Sequence, residues 1–163
     1  YAPLVNYADH TYGVCKKMLD DKNARMGLGD GGAHVGFILD AGYPTWLISY
    51  WSVKKKAYSM EETVRRLTSD TANAAGLNDR GLLKVGLKAD INIIDWENVG
   101  SSDPFMTQDL PAGGKRLMQN TQGYVTTIVS GKVTYKNGEF TKERPGTVVK
   151  SVKDEEKTLE FTN

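Results

Sequence analysis

Asp30 is the residue whose neighbours best equip it for chemistry. It sits in Gly27-Leu28-Gly29-Asp30-Gly31-Gly32-Ala33-His34, a carboxylate among glycines with a histidine four residues on. Two kinds of chemistry suit such a loop. One is phosphate binding: Gly27, Gly29 and Gly32 satisfy G-x-G-x-x-G, in which backbone N–H groups face a pyrophosphate at a helix N-terminus. A carboxylate inside that cradle repels the ligand. The acidic ribose partner expected about 20 residues on is also missing, since Trp51-Ser52-Val53-Lys54-Lys55 contains no acid. The other chemistry is that of a carboxylate just past the end of a strand. There α/β folds place catalytic groups, and glycines let the backbone turn sharply and a ligand come close. A plainer role, Asp30 capping a turn, fits the local composition equally well.

Other polar and reactive side chains carry weaker signals. His34, Gly31 and Gly32 would face a substrate, or support a group that does. The bland reading of His34 is a loop histidine bonded to backbone. His10 follows Asp9 near a helix start and has no evident site role. Cys15 is the only cysteine, so no internal disulfide forms, and between Val14 and Lys16 it reads as a small buried hydrophobe. Trp46, Tyr50 and Trp51 read as core. Lys54-Lys55-Lys56 reads as a solvated face.

The elements that must position Asp30 follow from pattern. Tyr7 to Leu19 has helical spacing, with Val14, Met18 and Leu19 on one side. Residues 23–28 are a short segment read as a buried strand leading into the glycine loop. Pro44 suits a first helical turn running on to Trp51. Ser59-Met60-Glu61-Glu62 is a capping box, with Glu62 reaching back to the cap. Met60, Val64, Leu67 and Ala74 continue the spacing, and Gly76 ends the helix in a left-handed conformation. After Leu77 the texture changes. Ala89 to Trp96 alternates as a strand, with Ile91 and Ile93 on one face and Ile94 on the other. Tyr124 to Ser130 and Val133 to Tyr135 form a hairpin about Gly131-Lys132, and Asn137-Gly138 marks a second turn. Residues 101–114 read as a long connection, and 151–163 as a charged tail.

Composition narrows the function classes. With 21 basic and 20 acidic residues the net charge is +1, which leaves no electrostatic footprint for nucleic acid or an anionic membrane. The longest apolar cluster, Trp46 to Trp51, is too short to span a bilayer. No secretory signal is visible, and a cytoplasmic location is the expectation.

Family resemblance tips the balance at Asp30. GLGDGGAHVG, with SYW downstream, resembles the last barrel strand of the amidohydrolase superfamily, and in particular the N-acyl-D-amino-acid deacylases (D-aminoacylases). LTSDTANAAGLNDRGLLKVGLKADINIID, DLPAGGKRL, GYVTTIVSGKVTYKNGE and RPGTVVK agree in order. The resemblance implies an α/β-plus-β fold: residues 1–77 as the last strand and helices of a TIM-type barrel, and 78–150 as strands of a small β-sandwich. It implies hydrolysis of an amide by water bound to zinc or another divalent metal, which lowers that water's pKa. Asp30 matches the aspartate that takes the proton and returns it to the leaving amine, and lies close enough to touch the metal.

The chain departs from the family where the metal is held. It has two histidines and no H-x-H pair, whereas a catalytic zinc needs about three protein ligands. A full barrel takes about 250 residues, against 163 here. The expectation is a C-terminal portion of a larger deacylase, inactive and metal-free alone, that self-associates or pairs with its missing half. The alternatives are a cyclic-amide hydrolase of the hydantoinase or dihydroorotase kind, and a non-catalytic assembly module.

Overall fold

A computed structural model describes residues 11–27 and 29–149. His10 and the charged tail at 151–163 lie outside the described residues. Helix α1 spans Gly13–Asp20. Helix α2, Tyr43–Trp46, carries Pro44 in its first turn, where a missing N–H costs nothing. It runs directly into a π-helical stretch, Leu47–Lys54. Helix α3 spans Met60–Leu67, and the Ser59 oxygen accepts the Glu62 N–H at 3.1 Å. The reciprocal half of the expected capping box does not form, because the Glu62 carboxylate takes a fork of two bonds from Arg66. The helix expected to continue to Ala74 breaks at Thr68 (φ −123°, ψ −87°) and restarts as α4, Ser69–Ala74. Gly76 adopts φ +68°, the expected left-handed stop.

The helical core is small and aromatic. Leu47, Trp51 and Tyr58 are buried, with Tyr12, Cys15, Leu19, Met26 and Leu67 packed against them. Each large apolar side chain buried there contributes roughly 1.5–3 kcal/mol. Of the three aromatics expected in the core, Trp51 is buried, Tyr50 is half-buried and Trp46 stays 39% exposed, stacked on Tyr50 at 4.7 Å. Met60 and Val64, expected on the buried face of α3, are exposed. Thr63 is the buried residue there, its hydroxyl satisfied by the Ser59 carbonyl. Tyr58 joins the helices: Lys16 Nζ lies 4.9 Å and Arg66 Cζ 4.5 Å from the centre of its ring, and its hydroxyl donates to Asp20 at 2.9 Å. Such cation contacts gain from the negative face of the ring.

The strands are all antiparallel. Strand β1 (Ile91–Ile94), β6 (Tyr124–Val129), β7 (Lys132–Lys136) and β8 (Glu139–Phe140) form one sheet in the order β1-β6-β7-β8. A bulge between Ile93 and Ile94 breaks the simple alternation, so Ile91 and Ile94 are partly covered while Ile93 is exposed. The β6–β7 turn is Ser130-Gly131, one residue earlier than expected (φ +50° and +78°). A two-residue hairpin of this hand needs positive φ at both centres, which Gly131 supplies freely and Lys132 would not. Asn137-Gly138 forms the second turn as expected.

Residues 101–114 are not an unstructured connection. They hold β3 (Phe105–Leu110) and a short 3-10 turn at Pro111–Gly113, and β3 pairs with β4 (Gly114–Met118). Arg116 and Asp109 tie that hairpin with a two-pronged ion pair. Strands β2 (Gly100–Ser101) and β5 (Thr121–Gln122) form a third, minimal ladder.

The segment expected as a buried strand before the glycine loop is irregular over residues 23–27. A barrel strand takes its hydrogen bonds from strands on either side, and among the described residues no strand flanks this one. No helix among the described residues is long and apolar enough to cross a membrane.

Candidate functional site

The glycine-rich stretch closes on itself as a compact loop. The Asp30 carbonyl accepts the Ala33 N–H at 2.9 Å, and the His34 carbonyl accepts from Phe37 (2.9 Å) and Ile38 (3.1 Å). Gly32 has φ +103° and His34 φ +43°. The loop is shut by Asp40, whose Oδ2 accepts the Asp30 N–H at 2.7 Å. Compact loops whose ends meet in this way often carry function.

Two of the glycines are required by that closure. A Cβ on Gly29 would lie 2.9 Å from the Asp40 carbonyl oxygen. A Cβ on Gly31 would lie 2.7 Å from the Ala41 Cβ. The backbone on either side of Asp30 therefore runs against residues 40 and 41 at a distance only glycine permits.

Asp30 itself is exposed. Its backbone is held at both N–H and C=O, while no side chain among the described residues donates to its carboxylate. A group that is fixed at the backbone and free at the carboxylate suits proton transfer, where position matters first. His34 is exposed, and its ring stacks on Phe37 with centroids 5.3 Å apart. Gly31 and Gly32 lie in the loop beside Asp30.

Asp40 is the residue that sequence reasoning missed. The available signal was an acid followed by Ala41-Gly42, ten residues after Asp30 and within the span of one closed loop. The second half of the chain also reaches the site, since the Leu117 N–H of β4 donates to the Val35 carbonyl at 2.7 Å. A shallow hollow of about 290 Å³ lies beside Asp40, lined by Leu39, Tyr43 and Trp46 and, from the second half of the chain, by Ser101 and Gln119.

The described residues do not make a metal centre. No group of three or more His, Cys, Asp and Glu side chains among them could hold an ion. Beside Asp30 there is one further carboxylate, Asp40, already engaged with backbone.

Comparison with known proteins decides the family. The model of the amidohydrolase family matches residues 7–135, which include the whole Asp30 loop, the strands through β6 and most of β7. The chain belongs to the amidohydrolase family. Two curated relatives are named dihydroorotase, one from Lactobacillus acidophilus and one from Lactobacillus johnsonii. Each is 33% identical over 89 residues, which is 52% of this chain and 20% of the relative. The aligned stretch thus spans about one fifth of their length. No solved structure matches. The superfamily expectation is met, while these relatives are named dihydroorotase and not D-aminoacylase.

Within this amidohydrolase chain the GL-x-DRG run has a structural job. Arg80 forks onto Asp79 and reaches Asp90 at 3.2 Å, while the other Asp90 oxygen accepts the Ser130 N–H of the β6–β7 turn. Gly81, at φ +91°, passes so close to α4 that a Cβ would lie 2.8 Å from the Ala72 Cβ.

Proposed function

We propose that this chain is the C-terminal portion of a metal-dependent amidohydrolase that cleaves the C–N bond of linear amides, with N-acyl-D-amino acids as the substrate class. The observation that carries this reading is Asp30. It lies inside the family match, in a glycine loop that packs closely against residues 40 and 41, and no side chain among the described residues donates to its carboxylate. Water attacks the amide carbon, Asp30 takes a proton from that water, and the same proton passes to the departing nitrogen as the C–N bond breaks. Gly31 and Gly32 leave room for water and substrate, and His34 stands at the rim.

Metal ligands for this chemistry have to come from residues outside those described. Zinc or another divalent metal is the expected cofactor of the complete enzyme. The module beyond residue 77 would be the small β-sandwich of the family. The protein would act in the cytoplasm on a small-molecule amide, with neither nucleic acid nor membrane as partner.

A second reading has its own observation. The curated relatives are named dihydroorotase, which favours a cyclic amide. The test is hydrolysis by the complete protein, metal-loaded, of N-acetyl-D-amino acids against dihydroorotate and hydantoin. Turnover of the linear amides supports the first reading. Turnover of the rings alone replaces it with the second. Inactivity on both classes, in a protein with its metal bound, leaves a non-catalytic assembly module.

A further inference from the structure

The turn between β7 and β8 sets an asparagine before a glycine where little surrounds either. Lys136 pairs with Glu139 across Asn137-Gly138, and the two central residues have φ +50° and +83°. This is the two-residue hairpin geometry that Asn-Gly favours. The Asn137 N–H is anchored on the Val125 carbonyl at 2.9 Å. Beyond that the turn is free. Both residues are exposed, and among the described residues no hydrogen bond holds the Asn137 side-chain amide or the Gly138 N–H. Nothing lies within 4 Å of the place a Gly138 Cβ would take.

We propose that Asn137 is a modification site, at which the side chain deamidates spontaneously through a ring closed by the Gly138 nitrogen. That nitrogen gives its proton to solvent and attacks the side-chain carbonyl carbon of Asn137. The bond from this carbon to the side-chain nitrogen breaks, and the nitrogen takes a proton from water and leaves as ammonia. The cyclic imide then adds one water and opens at either carbonyl, leaving aspartate or isoaspartate. In isoaspartate the main chain runs through the side-chain carbon and is one methylene longer. Glycine permits the attack because no Cβ shields its nitrogen. Ring closure also needs the turn to swing open, and β8 is a two-residue strand at the edge of its sheet, where local opening costs least. The other described asparagines are each followed by a residue that carries a Cβ. Asn92 is further held inside β1, and the Asn98 amide is bound to Asp95. Asp30-Gly31 can close the same ring with loss of water, but its backbone is packed against residues 40 and 41. The product carries a new negative charge between Lys136 and Glu139. The added methylene of isoaspartate shifts the register that pairs Tyr135 with Phe140, whose rings lie 5.3 Å apart. Ageing of the chain therefore loosens β8, whatever reaction the complete enzyme performs.

The test is incubation of the full chain in neutral buffer, followed over days by peptide mass spectrometry with fragmentation that distinguishes isoaspartate from aspartate. Deamidation is expected at position 137 at least about tenfold faster than at any other described asparagine, a barrier lower by about 1.4 kcal/mol. Isoaspartate should be among the products, and Phe140 amide exchange should rise in step with it. Gly138→Ala should slow the reaction at least about tenfold. At φ +83° alanine strains the turn, and a looser turn opens more easily, so slowing in this variant comes from the added Cβ at the attacking nitrogen. No deamidation at 137, or equal rates at the other asparagines, overturns the site. Aspartate without isoaspartate, or an unchanged rate in Gly138→Ala, overturns the ring.

Discussion

The carboxylate of Asp40 accepts the backbone N–H of Asp30 across ten residues of chain, at 2.7 Å. This bond shuts the loop that carries the proposed base, and the acceptor is charged, which makes it stronger than a neutral pair. Replacing Asp40 by Ala should free the Asp30 amide. A contact worth about 1 kcal/mol corresponds to roughly fivefold faster local opening. Amide hydrogen exchange at Asp30 reads this directly. Asp40→Asn keeps an acceptor at the same place and should restore most of the protection. Unchanged exchange in Asp40→Ala would show that glycine packing alone closes the loop.

Asp30→Asn separates chemistry from folding. The Asp30 carboxylate is exposed and takes no bond from a side chain among the described residues, so the fold does not depend on it. In the complete, metal-loaded protein, turnover should drop by about 10²–10⁴-fold, the usual contribution of a positioned general base. The melting temperature of the variant should match the parent. Near-normal turnover removes Asp30 as the base.

Gly31→Val tests the close approach. Even a Cβ at this position would sit 2.7 Å from the Ala41 Cβ, and a branched side chain adds further bulk. The strand of loop beside Asp30 must move away from residues 40 and 41, at a cost of about 1–3 kcal/mol. A shifted Asp30 amide resonance together with lost turnover in the complete protein is the expected result. Parent-like values for both would mean that Ala41 yields instead of the loop.

Much of this was legible beforehand where the signal is local. Ser59 announces the start of α3, Gly76 the αL stop after α4, and Asn137-Gly138 the β7–β8 turn, because each residue type acts on backbone within a few positions. The Asp30 loop was legible as a carboxylate among glycines, but not what the glycines pack against. Gly29 and Gly31 demand a close neighbour without naming it, and Asp40 is that neighbour only after the chain closes. The Arg66 fork that takes Glu62 from its capping role is shared with contacts to α1 and Tyr58, and tertiary competition of this kind leaves no mark in a four-residue pattern. The β3–β4 hairpin was hidden by Pro111 and Gly113-Gly114, which read as a loop but form only the hairpin's tip. Residues 23–27, expected as a strand, hold no β-branched or aromatic residue and have no pairing strand among the described residues.

Tyr58 gives the fold a dependence on alkaline pH. Burial, then its hydrogen bond to Asp20, pushes the phenol up from 10.0 to about 12. The unfolded chain therefore loses this proton before the folded one does. The contribution to stability is complete below about pH 10, falls between about 10 and 12, and is gone above. Denaturant melts from pH 9 to about 12, with phenolate absorbance followed in parallel, should show this decline. Tyr58→Phe should flatten it and remove a late-titrating phenol from the absorbance curve. A decline of equal size in Tyr58→Phe would assign it to other groups.

The proposed incompleteness of the chain predicts association. Among the described residues Leu82 is 60% exposed, Leu83 84% and Val85 100%, on the segment between the helices and the first sheet. Large apolar side chains exposed this close together in sequence are candidates for a contact face or an aggregation liability. The 18.0 kDa chain should therefore sediment heavier than a monomer at micromolar concentration. Leu83→Glu combined with Val85→Glu should return it toward monomer, since two carboxylates on that face oppose burial. A partner carrying the upstream part of the enzyme should compete with self-association through the same residues and protect them from exchange. A monodisperse monomer in the parent chain would show that this surface is tolerated in water, and the pairing proposal would fall with it.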